Sequence, residues 1–110
     1  MKHAAAVVFL LVAACRTAVA DHNPFEGQPA AALAGAKLFR AHCAECHGAN
    51  AAGRGYAPSL RTAGARQRSD AALFTFLTNG NLRHGMPSWA RLTEQRRWQI
   101  VSFLRSLPPP

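Results

Sequence analysis

The sequence predicts an all-α domain of three principal helices joined by long loops, and three observations carry that prediction. In three segments apolar side chains recur at steps of three and four residues, the period of a helix with one buried face. Two of those segments open on a hydroxyl residue able to cap them and close on glycine or proline. No alternating apolar and polar run of useful length competes for a strand. The chain has 110 residues, 49% of them hydrophobic and 16% charged, a composition that suits one small folded domain and not a disordered chain.

The first twenty residues precede that domain. Met1, Lys2 and His3 form a basic start, and Ala4 to Ala14 is an apolar stretch of the length of a signal-peptide core, too short to cross a bilayer. Residues 1–20 are therefore expected to be an export signal. Two exits are legible: Ala18-Val19-Ala20 before Asp21 is an A-x-A cleavage site, and Val12-Ala13-Ala14-Cys15 resembles the lipobox of bacterial lipoproteins, whose cysteine is acylated. Either route exports the chain to the periplasm, soluble or held to the membrane by a lipid at Cys15. Residues 21–29 (DHNPFEGQP) carry Pro24, Gly27 and Pro29 without periodicity and read as a flexible N-terminal arm. Order is expected to begin near Ala30, so that residues 30–110 make the domain.

From Ala30 to Ala41 strong helix formers predominate, with Leu33, Ala36, Lys37 and Phe39 or Arg40 on successive turns and Leu38 and Phe39 as core face. Gly48 to Thr62 holds three glycines and a proline and reads as a loop, long enough in so small a domain to have a functional reason. Ser69 can cap a helix from Asp70 to Thr78 that Asn79-Gly80 stops, with Leu73, Phe74 and Leu77 on one face. Thr93 can cap the last helix, where Trp98, Ile100, Val101, Leu104 and Leu107 recur until Pro108 to Pro110 end it; Arg96 stands where a capping box would have Glu or Gln.

Thirteen Lys and Arg against five Asp and Glu give a formal charge of +8. Removing residues 1–20, with Lys2 and Arg16 among them, leaves 11 cations and a charge of +6. Nearly all of these are arginines, without interleaved aromatics, so they read as solvated faces and not as a nucleic-acid groove. A basic surface steers a protein towards an acidic partner face.

Cys43-Ala44-Glu45-Cys46-His47 is C-x-x-C-H, the attachment signature for c-type haem. At i and i+3 on a helical turn the two sulfurs face one way, able to form thioethers with one porphyrin, and the next residue's imidazole can ligate its iron. A zinc site would need a further Cys or His pair, and a dithiol redox motif a βαβ setting; neither is present. The expected cofactor is one haem c per chain, attached through Cys43 and Cys46 with His47 as axial ligand. Met86, in Gly85-Met86-Pro87, is the only methionine besides Met1 and is the candidate sixth ligand. His84 is its rival; His42 precedes the attachment turn, and His22 lies in the arm.

With these residues in view, the chain resembles a class I, single-haem bacterial cytochrome c over about residues 30 to 107. The resemblance rests on Gly35 to Phe39, Cys43 to His47, the Gly-rich loop to Pro58 and Leu60, Gly85-Met86-Pro87, and the closing LTEQRRWQIVSFLRSL. It implies the cytochrome c fold, with long loops wrapped around one covalently bound haem, and a crossing of first and last helices that sets Gly35 and Phe39 against the Trp98 to Leu104 face. It also implies that the Pro58 carbonyl holds the His47 ring. Tyr56 and Arg54 lie where either could meet a haem propionate, although a solvated loop Arg54 is the plainer reading.

With both axial positions filled by protein, substrate finds no open site, which suits electron transfer and not catalysis. Leu60, Leu73, Phe74 and Leu82 are expected to keep the pocket dry. The reading that follows is an exported one-electron carrier between periplasmic redox proteins with acidic docking surfaces. The alternatives are a cytochrome subunit of a periplasmic dehydrogenase and, if Met86 dissociates, a gas- or ligand-binding haem protein.

Overall fold

A computed structural model describes residues 3–4 and 22–110. Cys15 and both expected processing points lie outside the described residues. Among those residues all regular structure is helical: α1 Pro29–His42, α2 Ala44–His47, α3 Ala63–Gln67, α4 Asp70–Asn79 and α5 Glu94–Ser106, with one 3₁₀ turn, Leu82–His84, between α4 and α5. The three expected helices are α1, α4 and α5. Within the described residues no helix is long and apolar enough to cross a membrane.

The helix ends follow local chemistry. Pro29 sits in the first turn of α1, where its missing N–H removes no intrahelical bond. The Ser69 hydroxyl accepts from Ala72 N at 3.1 Å to start α4, and the Thr93 hydroxyl accepts from Arg96 N at 3.2 Å to start α5. Helix α3 was not expected, because five residues, AGARQ, show no apolar period. Its Thr62 cap, accepting from Ala65 N at 3.2 Å, is the one local signal for it.

Helices α1 and α5 pack against each other at Gly35. A Cβ added there would stand 1.9 Å from the Gln99 carbonyl oxygen and 2.9 Å from Phe103 Cβ, so the two backbones nearly touch. One turn on, Phe39 packs on Phe103 with ring centroids 5.0 Å apart. Trp98 faces the other way and stacks on Phe74 of α4 at 4.1 Å and 20°, joining α4 to α5. Two apolar clusters result: Phe74, Leu77, Trp89, Leu92, Trp98, Ile100 and Val101 between α4 and α5, and Phe39, Cys43 and Ala51 under the end of α1. Leu33 is 69% exposed, edging a shallow groove with Lys37 and Arg96, because Ala31, Gly35 and Phe39 take the inward face.

Order begins before Ala30. The segment expected to be flexible is tied down by Asn23, whose buried side-chain amide donates to Ser102 Oγ at 2.7 Å and whose Oδ1 accepts from Phe25 N at 2.9 Å. Phe25 packs on the first cluster. Nor are the arginines all solvated. Arg105 pairs with Asp70 at 2.7 Å and donates to the Arg66 and Arg68 carbonyls, while Arg61 and Arg66 donate to the carbonyls of Pro108, Pro109 and Leu107. Guanidinium forks thus hold together the α3–α4 link and the C-terminal tail, where carbonyls lack helical partners.

Gly35→Ala tests the crossing. Helix propensity favours alanine by about 1 kcal/mol, but the close approach forces the helices apart, an overpacking cost of about 3 kcal/mol or more. A net destabilisation of about 2 kcal/mol or more is expected from chemical denaturation of the purified protein.

Candidate functional site

The site is built on the end of α1. Cys43 closes α1, its N–H donating to Phe39 O at 2.8 Å, and its carbonyl opens α2 by accepting from His47 N at 2.9 Å. The chain therefore passes from helix to attachment turn without a hinge. Both Cys43 and Cys46 are free thiols, not bonded to each other. Cys43 is buried and Cys46 exposed; burial, and to a lesser degree the charge of Cys46, push the Cys43 thiol up to about 11, so it is a neutral thiol at pH 7.

Beyond the turn, the loop of residues 48–62 folds back over His47. Gly53 N donates to His47 O at 2.8 Å, and Leu60 N to the carbonyl of buried Ala51 at 2.8 Å. Gly53 has φ +91°, and a Cβ there would meet Ser59 N at 2.8 Å and Ala57 O at 2.9 Å, so only glycine lets this loop close. Closure sets Pro58 O at 3.0 Å from His47 Nδ1. Because the carbonyl can only accept, Nδ1 is the donor in this bond, and Nε2 is the ring nitrogen that the loop leaves unengaged. Arg54 is not simply solvated: it donates to Glu45 O at 3.3 Å and braces the attachment turn.

The other half of the site hangs from α4. Asn81 and Met86 pair as an antiparallel bridge, Asn81 N to Met86 O at 2.8 Å and Met86 N to Asn81 O at 3.0 Å, which closes residues 82–85 into a tip. Half-buried Met86 packs on the core, while the tip stands in solvent. Leu82 is accordingly 77% exposed and does not line the interior as expected. Leu60, Leu73 and Phe74 do pack inward. His84 is exposed on the tip, with Nδ1 3.2 Å from Asn81 Oδ1. His42 leans on the Trp89 ring, centroids 5.1 Å apart.

The two halves meet at Tyr56, whose ring edge lies 4.0 Å from a Cβ built on Gly85. The loop over His47 and the loop bearing Met86 are thus neighbours. Sequence reasoning missed the neck of the second loop. Gly80 (φ +67°) packs so closely on Pro87 that a Cβ would lie 2.5 Å from its carbonyl carbon; Ser88 Oγ donates to Thr78 O at 2.6 Å, and Trp89 N to Leu77 O at 2.9 Å. The sequence marks Gly80 as a helix stop, but nothing in it shows that Gly80 packs on Pro87 or that Ser88 reaches back to Thr78.

These residues fit a haem. The donor set is two unpaired thiols, an imidazole and a thioether, and Tyr56 offers exposed apolar surface where the two loops meet. Among the described residues no three His, Cys, Asp or Glu side chains gather as a bare metal ion would require.

Comparison with known proteins agrees. The family model described as "Cytochrome C oxidase, cbb3-type, subunit III" matches residues 30–104. A cytochrome c550 of Pseudomonas aeruginosa is 32% identical over 89 residues, covering 77% of this chain and 61% of that protein. Cytochrome CL of the marine methylotroph Methylophaga aminisulfidivorans MPT superposes with a TM-score of 0.68 at 28% identity, covering 79% of this chain and 59% of that one. The c-type cytochrome KustC0563 has the same fold, with a TM-score of 0.60 at 24% identity over 67% of this chain and 96% of its own. The chain spans about six-tenths of the length of the first two.

The neck yields a test that needs no spectroscopy. Gly80→Ala sets a side chain against the Pro87 carbonyl in a backbone region alanine disfavours, and is expected to raise limited-proteolysis cleavage within residues 81–87 several-fold while the α1–α5 pair stays protected.

Proposed function

The chain belongs to the cytochrome c family, through the domain described as cytochrome c oxidase, cbb3-type, subunit III, and has the cytochrome c fold; from that premise we propose that it is an exported single-haem electron carrier. The observation that carries the reading is the His47–Pro58 hydrogen bond, which engages Nδ1 and supports Nε2 as the ligating nitrogen. In this proposal Cys43 and Cys46 bind the porphyrin covalently, His47 Nε2 and Met86 Sδ take the axial positions, and residues 1–20 direct export, with Cys15 acylated if the lipobox is used. A bound haem supplies a one-electron iron couple. The protein's part is to hold both ligands in the two oxidation states, keep water out with Leu60, Leu73 and Phe74, and leave one edge open to partners. With both axial positions taken, its role is transfer and not catalysis.

Met86 is favoured over His84 as second ligand because it is the half-buried one, packed on the core, while His84 is exposed and turned to Asn81. The family description also keeps a second reading in view, a cytochrome subunit of a larger redox complex. Co-purification from the native host separates the two. A carrier elutes alone at physiological salt, and a subunit elutes with its catalytic chain.

Exported in a host with haem-attachment machinery, the protein is expected to show a low-spin spectrum. Its weak ferric iron–thioether band should vanish in Met86→Ala and persist in His84→Ala. Cys43→Ala and Cys46→Ala are each expected to retain one thioether, read from the shifted reduced-state band, and only the double variant should release haem to acidified organic solvent. A high-spin wild type argues for the ligand-binding alternative, and a low-spin spectrum indifferent to Met86→Ala argues for ligation by His84.

The charge gives a separate prediction. At +6 after leader removal, oxidation by the anion ferricyanide should slow as ionic strength rises, by about tenfold from low salt to molar salt. Oxidation by a cationic cobalt complex should accelerate. Stopped-flow traces at matched driving force check both signs.

A further inference from the structure

The buried side of Arg97 has no role in the reading above. Its guanidinium lies over the Phe74 ring, 4.7 Å from the centroid, and its Nη1 donates to Thr78 Oγ1. Its Nε is buried without any acceptor, and among the described residues no carboxylate pairs with it, the one ion pair being Arg105 with Asp70. An arginine that merely decorates a surface keeps its head group in water. Half-buried Arg97 instead keeps its Nε out of water and gives Nη1 to the Thr78 hydroxyl.

Thr78 is where that bond acts. Its hydroxyl donates onward to Phe74 O at 2.8 Å, and its carbonyl accepts from Ser88 Oγ at 2.6 Å, two residues beyond Met86. From α5 to the methionine loop there is thus one short path: Arg97, Thr78, Ser88, Met86. The same neck is pinched by Gly80 against Pro87 and by Trp89 N on Leu77 O. The last residues of α4 therefore clasp the chain on the far side of Met86, and Arg97 closes the clasp from α5.

We propose that Arg97 and Thr78 form a latch that keeps Met86 on the iron, making both positioning residues for the axial ligand. The inference rests on Met86 being that ligand. A thioether is a weak ligand for ferric iron and gives way to a nitrogen base when its loop can swing out. A latch at the neck raises the cost of swinging without touching the metal. Threonine and arginine act through the loop, so their loss changes how readily the ligand leaves more than it changes the fold as a whole.

The experiment is imidazole titration of the ferric holoprotein, following the iron–thioether band, beside thermal unfolding of the same samples. Arg97→Met keeps the length and apolar stem and removes the donor; Thr78→Val keeps the shape and removes the hydroxyl. Each is expected to lower the half-displacing imidazole concentration about tenfold. Arg105→Met, which breaks the Asp70 pair away from this neck, is expected to lower the melting temperature and leave the imidazole midpoint in place. The latch is refuted if Arg97→Met and Thr78→Val stay within about twofold of wild type, or if Arg105→Met moves the midpoint as far as they do. A wild-type band that survives Met86→Ala instead overturns the ligand assignment on which the latch depends, and that result is visible before any titration begins.

Discussion

The close approach of α1 and α5 at Gly35 governs where everything else stands. Helix α1 runs without interruption into the attachment turn, since Cys43 is at once the last cap of α1 and the opening residue of α2. Whatever fixes α1 therefore fixes the two thiols and His47. Helix α5 is also the partner of α4, through the stacked rings of Trp98 and Phe74, and α4 carries the methionine loop. One helix is thus the common reference for both halves of the site. A loose crossing would let the halves drift independently, and the proposed ligation of iron by residues from distant segments would tolerate little drift.

Between these helices lie long stretches of irregular backbone, costly to order at about 1–2 kcal/mol per residue. Residues 48–62 recover part of that cost by bonding to themselves: Leu60 to Ala51, and Arg54 and Ala57 to each other. The tail and the α3–α4 link use guanidinium groups for the same purpose. An arginine offers five donors in a rigid fork, enough to serve two or three carbonyls that no helix satisfies. Arg54, Arg61, Arg66 and Arg105 are used in this way, and among the described residues only Arg105 has an acid beside it as well. A net hydrogen bond of this kind contributes about 1 kcal/mol, but several in a small domain stand against a stability of only about 5–15 kcal/mol.

The three principal helices were legible in the sequence because each has a local cause, and the proposed haem-binding residues stand out there for the same kind of reason. Ser69 and Thr93 announce α4 and α5, the three- and four-residue steps announce their buried faces, and the spacing of Cys43, Cys46 and His47 needs no tertiary knowledge. What was not legible depends on contacts between distant residues. Asn23 looks like any polar residue in a Pro- and Gly-rich stretch, and only its reach to Ser102, 79 positions away, turns an expected arm into part of the body. Leu82 was expected to line the pocket and stands in solvent, because the Asn81–Met86 bridge turns the loop tip outward. Arg54, Arg61, Arg66 and Arg105 read as solvated cations, since nothing in a sequence marks which carbonyls will be left without partners.

Bracing with arginine has an electrostatic consequence that bracing with ion pairs would not. A carbonyl oxygen is neutral, so an arginine bonded to it keeps its full charge in the long-range field, whereas Arg105 opposite Asp70 largely cancels. The groups that hold the loops together therefore also make the molecule cationic. For the proposed carrier, which would have to find and leave partners quickly, this combination is useful. Long-range attraction raises the rate of encounter, while charges already committed to internal carbonyls are poorly placed to form tight contacts across an interface. In that proposal the guanidinium groups that close the fold would also favour fast approach without lasting adhesion.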